Sequence, residues 1–425
     1  MKPEMKASLQ WQWENSTRKS QALCGRVPIA KNGYVSLFSS PTHPIISGLM
    51  RCSSPSTCVV CSSRIAKARG TWLSEVFHKA IEQGFQISML TLTVRHKRSD
   101  RLDNLLKAME QAYTNVQGST SYKALRNDYD SSFIRVLEVT HGKNGFHPHY
   151  HIAIIHRPGF DFELLRADME RTWVTHIERQ GLLAPIPDKA VHIVHNASDE
   201  QRAWYLTKAC GMSSLEVSNG RYKTAKGDNL GIWQIHGLAV SGDLDSKYVW
   251  HAYEKAIFKK RLFTMSKGMA DKFGVIWRSD VELASDEVSD LEGLSLGENI
   301  ADNLQKVALS IEFVGALSPF TWKQICERRL NGALYDLLRT DSPDVGGWLV
   351  LQGIGGGFFT PTVMSLRYDF KDDLLKCLQD TDISTHPADF DYFESQLQLA
   401  DAYSEALKTL EKCKVFDLEL VDSRS

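Results

Sequence analysis

Three groups of side chains in this sequence have the types and spacing to do chemistry. In Phe146-His147-Pro148-His149-Tyr150-His151-Ile152-Ala153-Ile154-Ile155, His149 and His151 stand two residues apart. On a strand, alternation puts both imidazoles on one face and turns Tyr150, Ile152 and Ile154 to the other. Imidazole ligates divalent transition metals, and a rigid strand holds two rings at the fixed separation one ion needs. Two plain strand histidines at a sheet edge would show the same spacing, so the neighbours have to decide. The second group is Cys24, Cys52, Cys58 and Cys61, in which Cys58-Val59-Val60-Cys61 forms a knuckle. Four thiolates suit a tetrahedral structural zinc. Reduced core thiols are the alternative, but four of the eight cysteines fall in the first 61 residues, which favours the metal. The third group is Gln201, Tyr205 and Lys208, which share one face of a helix. A Tyr with a Lys one turn away is often amphipathic packing; here it follows a possible metal site.

The elements that must position these groups can be read from periodicity. Residues 71–83 form an amphipathic helix ended by Gly84, with Trp72, Val76, Phe77 and Ala80 along one side. The preceding basic segment Arg64 to Arg69 would lie either against phosphates or on a solvated face. Residues 87–94 form a buried strand that stops at Arg95-His96-Lys97-Arg98, a basic rim suited to DNA. A helix over 100–117 follows, then a strand over 133–140. This strand joins the histidine strand through His141-Gly142-Lys143-Asn144-Gly145, and the Asn-Gly in so short a loop predicts an antiparallel hairpin. If Thr140 sits opposite His147, Glu138 falls opposite His149, and a carboxylate joins two imidazoles. A slip of one residue would send Glu138 to the other face, where a surface pairing with Arg135 or Lys143 is the alternative. A helix over 164–180 and a short strand over 190–195 come next. Ser198 then caps a helix through Cys210 that carries Tyr205 and Lys208, with Gln201 completing a capping box.

Composition bounds the rest. At 425 residues, 43% hydrophobic and 24% charged, the chain has room for two or three globular domains. The start shows no secretory pattern. The uncharged run Val345 to Leu366 is rich in glycine and reads as a buried strand and turn rather than a membrane span. A cytoplasmic protein with reduced cysteines and no membrane partner is expected. Net charge is −1 overall but unevenly spread: from Val281 onward there are 12 Lys and Arg against 26 Asp and Glu, and before it 38 against 25. The first two thirds favour a polyanion and the last third does not. No Gly-Lys-Ser/Thr phosphate loop is present, so nucleotide hydrolysis is not expected.

Three blocks in order, Leu90-Thr91-Leu92-Thr93-Val94-Arg95-His96, Gly145-Phe146-His147-Pro148-His149-Tyr150-His151 and Tyr205-Leu206-Thr207-Lys208, resemble plasmid-type rolling-circle replication initiators of the HUH endonuclease superfamily. The cysteine region and the basic segment from Tyr248 through Lys259-Lys260-Arg261 to Gly268 are similar as well. The resemblance spans roughly residues 24–275. It implies an α+β fold: a ferredoxin-like (RRM-like) antiparallel sheet with helices on one face. Around it we expect an N-terminal arm and zinc-binding region over 1–70, the nicking domain with its basic extension over 71–280, and an acidic, mainly α C-terminal domain over 281–425 for interaction or oligomerisation. It further implies His149 and His151 as ligands of Mg²⁺ or Mn²⁺, Tyr205 as nucleophile and Lys208 as its phosphate-side helper. Glu138 is the third ligand from the hairpin argument, supported by the family's use of a polar ligand on a neighbouring strand. Arg95, Lys97, Arg98, Lys259, Lys260 and Arg261 would contact DNA.

The implied partners are origin DNA, single-stranded or hairpin, with a host helicase and DNA polymerase, and a homo-oligomer. Two departures matter: Gln201 stands where some initiators have a Glu, and Ala209 where some relatives have a second tyrosine. A transposase or mobilisation relaxase would share these active-site residues. A DNA-binding regulator that uses metals only structurally would share the ligands but not need Tyr205.

Overall fold

A run of apolar residues that does not alternate must be covered on both sides, and Ile152-Ala153-Ile154-Ile155 is such a run. The computed structural model describes residues 3–29, 33–41, 44–198, 229–285, 312–340 and 342–360. They form α1 (Pro3–Asn15), α2 (Lys19–Ala22), β1 (Val35–Ser39), β2 (Ile45–Ser47), α3 (Val59–Glu82), β3 (Gln86–Thr93), α4 (Leu102–Gln117), α5 (Thr120–Asp128), β4 (Ser132–Gly142) and β5 (Gly145–His156). Next come α6 (Phe162–Arg179), α7 (Pro187–Ala190), β6 (Val191–Val194), β7 (Leu230–Gly231), α8 (Ile232–Val240), α9 (Leu244–Ala256), β8 (Phe263–Met265) and α10 (Met269–Phe273). The rest are α11 (Asp280–Ser285), β9 (Glu312–Leu317), α12 (Pro319–Glu327), α13 (Asn331–Leu337), α14 (Val345–Leu351) and β10 (Phe358–Phe359). The fold is mixed α+β with antiparallel sheets, and the chain divides into two compact units.

The larger unit is built on a sheet of order β6-β3-β5-β4-β7, with β8 also paired to β4. One face carries Leu90, Leu92, Tyr150, Ile152 and Ile154 and packs against α4, α5 and α6 through Leu105, Met109, Leu125, Leu165, Met169 and Trp173. The other carries Ile87, Met89, Ile134, Val136, Ala153 and Ile155 and packs against Trp72, Leu73, Val76 and Phe77 of α3. The expectation of helices on one face is therefore corrected: apolar residues on both sides of β3 and β5 require cover on both sides. On the α3 face the apolar pairs give way, at the hairpin end, to Thr91, Thr93, Glu138, His147, His149 and His151.

Helix α3 is longer than the apolar periodicity indicates, because it also takes in the basic segment. It starts at Cys58, whose sulfur accepts the Cys61 N–H at 3.4 Å, while the Val59 N–H donates to Gln12 Oε1 at 2.7 Å. Arg64 and Arg69 are buried, so neither lies on a solvated face. Arg69 pairs with Asp280 at 2.7 Å and its guanidinium sits 3.6 Å from the centroid of Trp277. The polar N-terminal stretch, without periodicity in sequence, is the helix α1, with Leu9, Gln12 and Trp13 buried.

The smaller unit is a four-stranded sheet of order β10-β9-β1-β2 over a core of Val35, Leu37, Leu317, Trp322, Ile325, Leu334 and Leu349. The described part of the C-terminal region thus adds strands as well as helices, and short apolar runs gave no sign of them. In the described part of the run Val345 to Leu366, expected as a buried strand and turn, Phe358–Phe359 is a short strand but Val345–Leu351 is a helix, which Asp344 caps by accepting the Gly347 N–H at 2.8 Å. Among the described residues no helix is long and apolar enough to cross a membrane.

Candidate metal centre

The turn of the β4–β5 hairpin sets the site. Lys143 and Asn144 form a two-residue loop between the paired Gly142 and Gly145, and the register runs Thr140 to His147, Glu138 to His149 and Val136 to His151. Glu138 Oε2 lies 2.8 Å from Nε2 of His149 and 2.8 Å from Nε2 of His151. The side chains are 12%, 12% and 5% exposed for Glu138, His149 and His151, so the group is largely but not fully enclosed. Arg135 is on the opposite face, 4.5 Å from the ring centroid of Tyr150, and so is not the partner of Glu138. Burial pushes the Tyr150 phenol up to about 12, as befits a core residue.

The donor set fits a cation. His149 Nδ1 is 3.4 Å from the His147 carbonyl, which can only accept, while its Nε2 faces a carboxylate, which also only accepts when ionised. His149 thus faces an acceptor at each ring nitrogen, an arrangement satisfied by a hydrogen on both nitrogens or by a cation between Nε2 and the carboxylate. His151 is held from behind by Thr91 Oγ1, 3.2 Å from its Nδ1. Outer partners of this kind orient metal-binding histidines. Glu138, His149 and His151 offer ligand atoms within 4.8 Å of one another.

Beside them stands a histidine pair to which the sequence reading assigned no role. His96 Nδ1 is 2.9 Å from the Asn144 carbonyl, and His96 Nε2 is 2.9 Å from His147 Nδ1. Burial, with His149 and His96 close by, lowers the His147 imidazole to about 4, so it is neutral at physiological pH. His96 was visible only as part of a basic cluster; its contact with His147 spans 51 positions and leaves no local signal.

Of the basic residues, Arg95, Lys97 and Arg98 are exposed and their side chains make no ion pair among the described residues. Lys260 is bonded to Glu110 at 2.7 Å, whereas Lys259 and Arg261 are exposed. Cys24, Cys52, Cys58 and Cys61 form a second possible metal-binding group, with sulfurs within 4.8 Å of one another. Backbone N–H groups donate to two of these sulfurs, Cys52 to Cys24 and Cys61 to Cys58, each at 3.4 Å, and Gln12 Nε2 donates to Cys58 at 3.6 Å. Such donors favour thiolate, which is the form zinc binds. Tyr205, Lys208 and Gln201, with the helix expected after Ser198, lie outside the described residues.

Residues 47–294, more than half of the chain, match the family described as replication protein. The chain belongs to this family. A protein of Streptomyces lividans named "Protein rep" is 23% identical over 299 residues, covering 54% of this chain and 65% of that protein. No solved structure matches. The region matched to the replication protein family takes in β3, the hairpin with Glu138, His149 and His151, and Cys52, Cys58 and Cys61. Cys24 and the acidic segment beyond residue 294 fall outside it.

Proposed function

We propose that this replication protein is a plasmid rolling-circle initiator: it nicks one DNA strand at an origin by tyrosine transesterification and later rejoins strands. The observation that carries this reading is the convergence of Glu138 with His149 and His151 on adjacent strands, in a chain whose family is that of replication proteins. Glu138, His149 and His151 would hold a divalent ion, Mg²⁺ or Mn²⁺, which supplies charge neutralisation and polarisation at the scissile phosphate.

A phosphodiester is negatively charged and repels nucleophiles, so the attacking group has to be aligned and the charge offset. Tyr205 Oη forms a bond to phosphorus as its proton leaves, and the bond to the 3′ oxygen breaks with the electron pair on that oxygen. The products are a 5′-phosphotyrosine and a 3′-hydroxyl. Lys208 offsets phosphate or phenolate charge. The ester conserves the phosphodiester for rejoining, in keeping with the lack of a nucleotide-binding loop in the sequence. Unwinding and extension fall to a host helicase and DNA polymerase.

Arg95, Lys97 and Arg98 are exposed on the segment after β3, which meets the hairpin turn through His96 and Arg98, and with Lys259 and Arg261 they would track the backbone of single-stranded or hairpin DNA. The four cysteines would hold a structural Zn²⁺. The acidic C-terminal segment is left for protein contacts, including self-association.

The test is to incubate the protein with single-stranded oligonucleotides covering its replicon and Mg²⁺ or Mn²⁺. A covalent protein–DNA adduct that survives denaturant and is absent with Tyr205→Phe is expected. No adduct on either strand would sink the nickase reading and leave a DNA-binding protein.

A further inference from the structure

The outer side of β4 is bordered by two short strands. β8 pairs with it from Ile134 opposite Met265 to Val136 opposite Phe263, and the Leu137 N–H continues the pairing by donating to the Leu262 carbonyl at 2.8 Å. β7 pairs with it at Thr140 and His141. Followed one residue past Leu262, this register brings Arg261 opposite Glu138. A single row then crosses the sheet: Thr93 of β3 opposite His149 of β5, His149 opposite Glu138 of β4, and Glu138 opposite Arg261 on the segment that leads into β8.

Alternation gives the face. Lys260 reaches Glu110 of α4 at 2.7 Å and Leu262 packs into the core on the α4 side, whereas Phe263 packs against Trp72 of α3. Arg261, between Lys260 and Leu262, is therefore directed to the α3 side, the face of Glu138, His149 and His151. Its backbone is held on both sides. Ile257 is 1% exposed and its carbonyl accepts the Lys260 N–H at 3.0 Å, and the reversal between α9 and β8 is made at Lys259, whose φ of +59° is uncommon outside glycine.

Opposite charges that face each other across a strand pair usually bond. Here the Glu138 carboxylate is turned to the two imidazoles, 2.8 Å from each, and Arg261 is exposed with no ion pair among the described residues. Its backbone runs one strand spacing, about 4.8 Å, from that of Glu138. A guanidinium there can hold two oxygens of one phosphate, which an ammonium cannot. Building on the nickase reading above, we propose that Arg261 binds the phosphate of single-stranded DNA that lies at the Glu138–His149–His151 group and orients it for attack. The DNA strand then crosses the outer edge of β4 between β8 and β7, where among the described residues no strand pairs with Val139. Arg261 thus differs from the cations that only track the DNA backbone.

The test uses the full chain, single-stranded oligonucleotides covering its replicon and Mn²⁺. Fluorescence anisotropy reads affinity at several salt concentrations, and gels read the rate of adduct formation at saturating DNA. Arg261→Ala should slow the adduct on the order of 100-fold, the effect of removing a donor aimed at the reacting group. It should also make the log–log salt dependence of binding shallower by about 0.7, the share of one phosphate. Arg261→Lys should restore the salt dependence but not the rate, because an ammonium lacks the planar fork. Lys107→Ala, which removes an exposed cation of α4, should change neither. Mn²⁺ binding without DNA should not fall in any of these variants, which separates a phosphate contact from damage to the ligand group; circular dichroism checks their folding. With an active wild type, an Arg261→Ala rate no lower than that of Lys107→Ala would overturn the proposal. Should the wild type form no adduct, the nickase reading falls by itself and the salt dependence decides: a slope altered no more by Arg261→Ala than by Lys107→Ala overturns the phosphate contact, and a slope shallower by the expected amount upholds it.

Discussion

Glu138 and His149 face each other across β4 and β5 with Oε2 2.8 Å from Nε2, and the same oxygen is 2.8 Å from His151. Glu138→Gln keeps the shape and removes the charge. The proposed ion then loses its anionic ligand, so Mn²⁺ affinity and adduct yield should both fall at least about 10-fold, since charge-bearing ligands dominate such sites. Isothermal titration and gel analysis of the adduct read the two effects. Unchanged metal binding would remove Glu138 from the site.

The cysteine group predicts about one zinc per chain. Cys58→Ser removes the sulfur that accepts the Cys61 N–H and the Gln12 amide. Elemental analysis should find the zinc content reduced, and the melting temperature should drop by several degrees. A full zinc complement in the variant would argue against tetrathiolate binding.

Arg69 is 4% exposed, paired with Asp280 and stacked over Trp277. Burial lowers its pKa, while the hydrogen bond to Asp280 opposes the shift. Asp280→Ala takes the anion from a buried guanidinium, but the Asp280 side chain is 40% exposed and water can take its place, so the cost should be about 1 kcal/mol. Trp277→Ala removes the stacked, half-buried ring and should cost about 2 kcal/mol through lost packing. Urea unfolding measures both; a loss below about 0.5 kcal/mol for Asp280→Ala would show the pair to be incidental.

His236 is 1% exposed, and neither ring nitrogen has a hydrogen-bond partner among the described residues. Trp11, Trp233 and Trp250 surround it, and burial lowers its pKa to about 3. The unfolded chain takes up a proton near pH 6.5 and the folded chain does not, so the stability from this group is complete above about 6.5 and is lost as pH falls towards 3. The slope is about 1.4 kcal/mol per pH unit inside that window. In His236→Phe, stability measured between pH 7 and 4.5 should fall less steeply by about one proton. Parallel curves for the two proteins would refute the assignment.

Gly145→Ala places a Cβ at φ +88° and within 3.2 Å of Arg98 Cα. It should cost about 1 kcal/mol or more, the penalty for Ala in the left-handed region. It should also separate His96 from Asn144. The imidazole resonances of His96 and His147 would both shift in NMR spectra, whereas a purely local strain would leave them in place.

Much of the sheet was legible because its signals are local. Alternation along Val136, Glu138 and Thr140, and a turn containing Asn144-Gly145, were enough to pair Glu138 with His149. What escaped depends on partners far away in sequence. β1 pairs with β9, almost 280 residues later, and nothing near Val35 announces it. Arg69 reads as a surface charge until Asp280 and Trp277 arrive, and Lys260 reads as a free cation until Glu110 does. Val345–Leu351 misled for a different reason: its glycines suggested a turn, but one capping carboxylate decides the helix.

Strand β5 lies between β3 and β4 and is paired on both sides from Ile155 to His149. A strand so placed cannot fray by itself; its amides exchange only when the whole unit opens. The proposed ligands His149 and His151 therefore share the fate of the core. Occupancy of the site would slow amide exchange across this entire unit, including residues far from the ion.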